Sequence, residues 1–302
     1  MKKYIVYLIT VMMAIALIMS THAVSNTVSD MTLDLAVSNT AAYMLHTVQE
    51  PKVDSVGGEW AIIGLARSKF NVPESYYESY YKTVEQYVVE CEGILHDKKY
   101  TEYSRVILGL TAAGYDPRNV GGYDLTCALS DFNSTVWQGI NGSIFALIAL
   151  DSGNYVIPNN PAVPIQATRE MYIDEILYHQ RSDGGWNLSK DDMNPNVHSN
   201  IDITGMALQA LSRYQDNVNV KKATDKALEY LSKTQDVTGG YTYGEHGKAS
   251  ESTVQVLVAI TSLNISVKDT RFVKNGNTLV DNILLFMNSD GSFKHTSDGC
   301  SR

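Results

Sequence analysis

Apolar residues in this chain fall into two kinds of run. Four stretches are apolar on nearly every side, at 60–66, 144–150, 206–211 and 254–260. A helix that is apolar all round is a buried helix, so each predicts an inner element. Between them lie amphipathic stretches with polar faces, at 33–48, 74–95, 165–179, 220–233 and 277–287. In the fourth, Ala223, Ala227, Leu228 and Leu231 fall at helical spacing, while Lys221, Lys222, Asp225 and Glu229 take the other positions. That is a helix with its back to water. Residues 118–136 fit neither pattern and predict a short or broken helix. No segment alternates for long at a period of two, so strands should be few.

The inner stretches share an opening. An acidic or amide residue comes first and a Leu follows six positions on: Glu59 with Leu65, Glu102 with Leu108, Asn141 with Leu147, Asp202 with Leu208, and Glu251 with Leu257. The pattern returns about every 40–60 residues, a period that signals stacked helix pairs. Outer stretches lead into a glycine–aromatic punctuation: Gly57-Gly58-Glu59-Trp60, Gly121-Gly122-Tyr123, Asp183-Gly184-Gly185-Trp186, Gly239-Gly240-Tyr241 and Asp290-Gly291-Ser292-Phe293. A left-handed glycine should stop the outer helix, and the aromatic should wedge between hairpins. The expected fold is all-α. Inner helices form a barrel and outer helices clad it, an (α/α)6 toroid, with an open solenoid as the alternative. After the last punctuation the period calls for one more inner helix, which is missing. Truncation, the N-terminal helix or another chain would account for it.

Composition and charge narrow the class. The chain has 302 residues, 44% hydrophobic and 19% charged, as a folded protein has. Lys+Arg is 24 against Asp+Glu 33, a formal charge of −9, which argues against nucleic acid as a partner. Lys2 and Lys3 precede an apolar run at 4–19, and Ser20-Thr21-His22-Ala23 follow. That is the pattern of a signal peptide over 1–23 cleaved after Ala23, leaving 24–302 as the toroid; an uncleaved anchor is the alternative. No second run is long enough to span a membrane, so a secreted or extracellular-surface protein is expected. Cys91, Cys127 and Cys300 are too few and too scattered for a disulfide framework or paired-Cys zinc patterns. One pair can form, and the sequence does not say which.

Gln180-x3-Gly184-x-Trp186 and Gln235-x3-Gly239-x-Tyr241 resemble the core of the QW motif. That motif belongs to the squalene–hopene cyclases and, more loosely, to the prenyltransferase and squalene oxidase repeat. Ile176 and Leu231 stand where the upstream half of the motif has an acid or amide. The likeness is strongest over 165–302 and weaker over 31–160. It implies the toroid of terpenoid cyclases, protein prenyltransferase β subunits and transcobalamin-type carriers, and through the last a corrinoid as ligand. It does not imply one activity, because this fold hosts unrelated functions. The cyclases protonate an alkene with an Asp of a DxDD motif. Here Asn200-Ile-Asp202-Ile-Thr204 keeps one aspartate, near a helix start whose dipole favours the ionised form. Zinc-type prenyl transfer lacks a cysteine in register with His198, His246 or His295. The Gly-Cys-Gly-Glu-Gln motif of thioester toroids is absent.

Candidate chemistry gathers at the inner-helix openings. Glu59, Glu102, Asn141, Asp202 and Glu251 should lie at one end of the barrel, either capping their own helices or forming an acidic mouth around a cavity. Trp60, Tyr103, Trp186, His198, Tyr241, Tyr243 and His246 are further candidates for binding a ligand there. The loop with Asp191 and Asp192 is dense in oxygen ligands that suit calcium, without EF-hand spacing. Nineteen Tyr against six Phe suit a binding surface, and Tyr76, Tyr77, Tyr80 and Tyr81 predict an exposed aromatic patch. The expected function is an exported, non-catalytic module that binds a small molecule or cell-surface component. The alternative is an enzyme with Asp202, Glu251 and Glu59 as catalytic candidates. It would be a cyclase or transferase with a departed site, or a sugar-cleaving toroid using paired acids such as Glu59 and Glu251.

Overall fold

The computed structural model describes residues 28–53, 57–188, 198–242 and 249–296, so the expected signal peptide lies outside the described residues. Those residues are mostly helical, with isolated bridges in place of strands. In chain order the helices are α1 (Val28–Thr47), α2 (Glu59–Arg67), α3 (Glu74–Glu90), α4 (Thr101–Ala112), α5 (Phe132–Val136) and α6 (Ile140–Ser152). They continue as α7 (Arg169–Tyr178), α8 (Ile201–Leu211), α9 (Val218–Thr234), α10 (Ser250–Ser262) and α11 (Leu279–Leu284). The four apolar stretches become α2, α6, α8 and α10, the Glu102–Leu108 opening becomes α4, and α2, α4, α6, α8 and α10 pack each on the next in that order. Helices α7 and α11 lie on α6 and α10, and α9 bridges α7 and α8.

Burial follows the two kinds of run. Ile62, Leu110, Leu147, Leu208 and Leu257 have at most a trace of exposed surface. Each such side chain contributes about 1.5–3 kcal/mol by leaving water. Helix α9 buries Val220, Ala223, Ala227, Leu228 and Leu231 and turns Lys221, Lys222, Asp225 and Glu229 outward. Its start is set by Asn217, whose side chain accepts from Asn219 N and Val220 N. Helix α7 begins later than its amphipathic pattern, because Thr168 caps it through Met171 N at 3.2 Å. Helix α11 likewise begins behind a Thr278–Asp281 capping box. The 118–136 region is broken as expected: a 3-10 turn over Leu125–Ser130 precedes the short α5, capped in turn by Asp124 and Asp131.

The glycine–aromatic punctuation works differently from the expected helix stop. Helix α7 ends at Tyr178, well before Gly184. Gly184 instead closes a tight turn: Gly184 N donates to Arg181 O at 3.0 Å and Arg181 N to Gly185 O at 2.9 Å. The same pair of bonds joins Asp236 with Gly239–Gly240 and Asn288 with Gly291–Ser292. In all three turns the glycine has positive φ, +98°, +83° and +88°. Such a position is nearly free for glycine and strained for other residues. The aromatic two residues on is driven into the core, with Trp186, Tyr241 and Phe293 all at most 1% exposed. Each turn then presses on another segment: Gly184 on the backbone of Lys226 in α9, Gly239 on Asn277–Thr278 before α11, and Gly291 on Asn39–Thr40 of α1.

The glutamines of the motif are braces. Gln180 Nε2 donates to Gly184 O and to Ala223 O, both at 2.8 Å. Gln235 Nε2 donates to Gly239 O at 2.8 Å and to Phe272 O at 3.0 Å. Each ties its own turn to the following outer segment. The expected tyrosine patch on α3 is not exposed. Tyr76 and Tyr80 are buried, Tyr77 and Tyr81 half-buried. The Tyr76 hydroxyl donates to Val48 O at 2.8 Å, and Tyr81 stacks on Tyr115 at 4.2 Å. A tyrosine-rich helix face has here become an interlayer seam, as the ring is apolar and the hydroxyl finds a carbonyl.

Candidate functional site

Glu59 is the first residue of α2, and Glu102, Asn141, Asp202 and Glu251 are second in α4, α6, α8 and α10. None of the five is an N-cap. The caps are Gly58, Tyr100, Gly139, Asn200 and Ala249. Only Asn200 caps through its side chain, accepting from Ile203 N at 3.0 Å. The expected capping role therefore falls to a neighbour or to nobody. The five side chains are left to meet other groups.

Two of them meet one arginine. Glu59 is fully buried, and Arg105 Nε lies 3.1 Å from its Oε2. The same guanidinium pairs with Glu102 one turn earlier on α4. Tyr80 completes this cluster; burial drives its hydroxyl pKa well above the usual value, Glu59 adds to the rise, and Arg105 opposes it. A buried carboxylate so paired is an internal neutralisation and not a mouth.

The other three are differently placed. Helices α6, α8 and α10 are successive neighbours, and α8 and α10 form the most extensive helix pair. Asn141 Oδ1, Asp202 Oδ1 and Glu251 Oε2 are buried and accept no hydrogen bond. Glu251 Oε1 is met by His295 Nδ1 at 2.6 Å. His295 is held there because its carbonyl accepts from Ser250 N at 3.2 Å. Burial raises the Glu251 pKa against its own backbone N–H and His295, and Asp202 raises it further. Burial also raises Asp202, against a hydrogen bond from Ser252. The ionised form expected for Asp202 from the helix dipole is thus disfavoured, because desolvation outweighs a terminal dipole. Two carboxyl groups on adjacent helices, both pushed toward protonation, hold a proton more tightly than surface acids do.

The remaining candidates separate. Trp186 is wholly buried, its indole N–H given to Ile176 O at 2.7 Å and its backbone N–H to Thr204 Oγ1 at 3.0 Å. Tyr241 repeats this: its hydroxyl donates to Leu231 O at 2.9 Å and its N–H to Thr253 Oγ1 at 3.3 Å. Both are wedges whose polar groups are satisfied within the fold. Trp60 is half-buried and meets Phe145 of α6 edge-on at 6.3 Å. His198 is exposed. Asp191, Asp192, Tyr243 and His246 lie outside the described residues. Among the described residues no group of three or more His, Cys, Asp or Glu is arranged to hold a metal ion, and no helix is long and apolar enough to cross a membrane.

Tyr103 lies elsewhere. It lines a cleft of about 410 Å³ together with Tyr100, Tyr123, Asp124, Asp131 and Cys127. Sequence reasoning did not assemble this group. Its signals were present separately: the punctuation at Tyr123, and the departure of 118–136 from the repeat. Cys127 and Cys91 are both free thiols. Compared with known proteins, the chain matches no family model and no curated protein.

Proposed function

We propose that the chain is an α/α-toroid that binds a small, donor-bearing ligand where α6, α8 and α10 begin. Three features support the ring: the sequential packing of α2, α4, α6, α8 and α10, the outer placement of α7, α9 and α11, and the seating of the Gly291 turn on α1. In this reading α1 receives the last turn just as α9 receives the Gly184 turn. The resemblance of the Gln–Gly–aromatic spacing to the QW motif agrees with it; in the same reading the signal-peptide pattern over 1–23 sends the chain to the cell surface or beyond.

The observation that carries the binding site is the row of buried acceptors without donors: Asn141 Oδ1, Asp202 Oδ1 and Glu251 Oε2. A native interior pairs nearly all such atoms, and an unpaired one costs about 1–3 kcal/mol. A ligand bringing hydroxyl or ammonium donors relieves that cost after small side-chain rotations. Native mass spectrometry of the mature protein from its own source tests this. A non-covalent adduct is expected, lost on denaturation and absent from an Asp202→Asn/Glu251→Gln variant that still folds. A bare chain mass, or an adduct that the variant retains, overturns the site. The mass distinguishes a corrinoid, an isoprenoid, a glycan and calcium.

A second reading is an enzyme, favoured by the raised pKa values of Asp202 and Glu251. The two acids are differently partnered, Glu251 by His295 Nδ1 and Asp202 without it, so their roles in such a reaction would differ. Turnover of an isoprenoid or glycan that Asp202→Asn abolishes, with binding intact, would establish it over the carrier reading.

A further inference from the structure

We propose that the cleft beside the start of α4 is a second binding site, for an organic ammonium ion. Its volume of about 410 Å³ is that of a small-molecule pocket. Three phenol rings wall it, Tyr100, Tyr103 and Tyr123, and three carboxylates line it, Glu92, Asp124 and Asp131. No Lys, Arg or His is among its lining residues. Two basic side chains near it in sequence have other partners, although Arg118 also feels the charge of Asp124 from outside the lining. Lys98 lies over the Trp137 ring at 5.9 Å, and Arg118 pairs with Asp116 and lies over Tyr155.

The walls are held in place. Tyr100 and Tyr103 sit with ring centroids 5.2 Å apart. The Tyr123 ring rests on the backbone of Gly93, where a Cβ would fall 2.5 Å from Tyr123 Cδ1. Asp124 Oδ1 accepts from Thr126 N at 2.8 Å and Thr126 Oγ1 at 2.6 Å. Asp131 accepts from Ser134 N at 3.2 Å and Ser134 Oγ at 2.8 Å. Asp124 and Asp131 are thus oriented by the helix starts they cap. Ring faces attract cations through their quadrupole. Like charges collected in one cleft, with no counter-charge among the lining residues, favour a positive ligand over a neutral one.

The test is titration of the folded protein with choline and with 3,3-dimethyl-1-butanol, its uncharged isostere, followed by calorimetry and tyrosine fluorescence. Choline binds, the isostere at least tenfold more weakly, and added salt weakens choline. Tyr123→Ala lowers choline affinity about tenfold, while Tyr123→Phe, which keeps the ring, retains it. Asp131→Asn, which keeps an acceptor for the cap, also weakens choline. No choline binding, equal binding of the isostere, or an unaltered Tyr123→Ala variant overturns the proposal. The site is separate from the one at α6, α8 and α10, so failure of either leaves the other standing.

Discussion

Replacing Gly291 by alanine tests whether the last turn is seated on the first helix. Gly291 has φ +88°, and a Cβ there would fall 2.4 Å from Asn39 O and 2.7 Å from Asn39 C. Both atoms are α1 backbone and cannot rotate aside. Gly276 supplies the control, with φ +83° and nothing within 4 Å of an added Cβ. Gly276→Ala therefore isolates the left-handed conformation, about 1–2 kcal/mol. Gly291→Ala adds the cost of lifting the turn off α1. The displacement needed is of the order of an ångström, and it loosens the packing of Phe293 and Phe286, both at most 2% exposed. Overpacking a close contact typically costs about 1–3 kcal/mol, so the total for Gly291→Ala is about 2–5 kcal/mol. Urea unfolding followed by circular dichroism measures both variants. Equal midpoints for Gly276→Ala and Gly291→Ala would refute the seating, and with it the main support for a closed ring.

The braces, the wedge and the buried acid give three further expectations. Gln180→Ala and Gln235→Ala each remove two hydrogen bonds to buried carbonyls and should cost about 1–3 kcal/mol in urea; a loss below 0.5 kcal/mol (about a surface substitution) would deny the brace. Trp186→Phe takes the indole donor from Ile176 O, which keeps only His179 N at 3.2 Å, and empties part of the ring's site, so a loss of about 2–4 kcal/mol is expected in the same assay. Asp202 has a raised pKa, so the native state holds its proton more tightly than the unfolded chain. Its contribution is fully present below the unfolded value of about 4 and is lost as pH rises through the folded value. Asp202→Asn should therefore flatten the fall of stability above about pH 4 and equal or exceed the parent at neutral pH; an unchanged pH slope in urea midpoints would sink this account.

The inner and outer helices were legible because burial writes a period into the chain. A run such as 254–260 is apolar on every side only if α10 is surrounded, and it is. What local pattern could not show is how strongly a given acid is desolvated. Asp202 has a helix start beneath it in the sequence, but the packing of α8 on α10 decides its proton. Glu59 reads as a cap and is instead buried against Arg105, in another repeat. The cleft combines residues from 92 to 163, which no linear window gathers. The motif glutamine shows how the local and distant terms connect. Its four-residue spacing to the turn glycine is local. Its second bond, to Ala223 from Gln180 or to Phe272 from Gln235, spans 43 or 37 residues. One side chain must satisfy both carbonyls at once. The amide therefore fixes where the outer segment must return in space, whatever the number of residues between the two carbonyls.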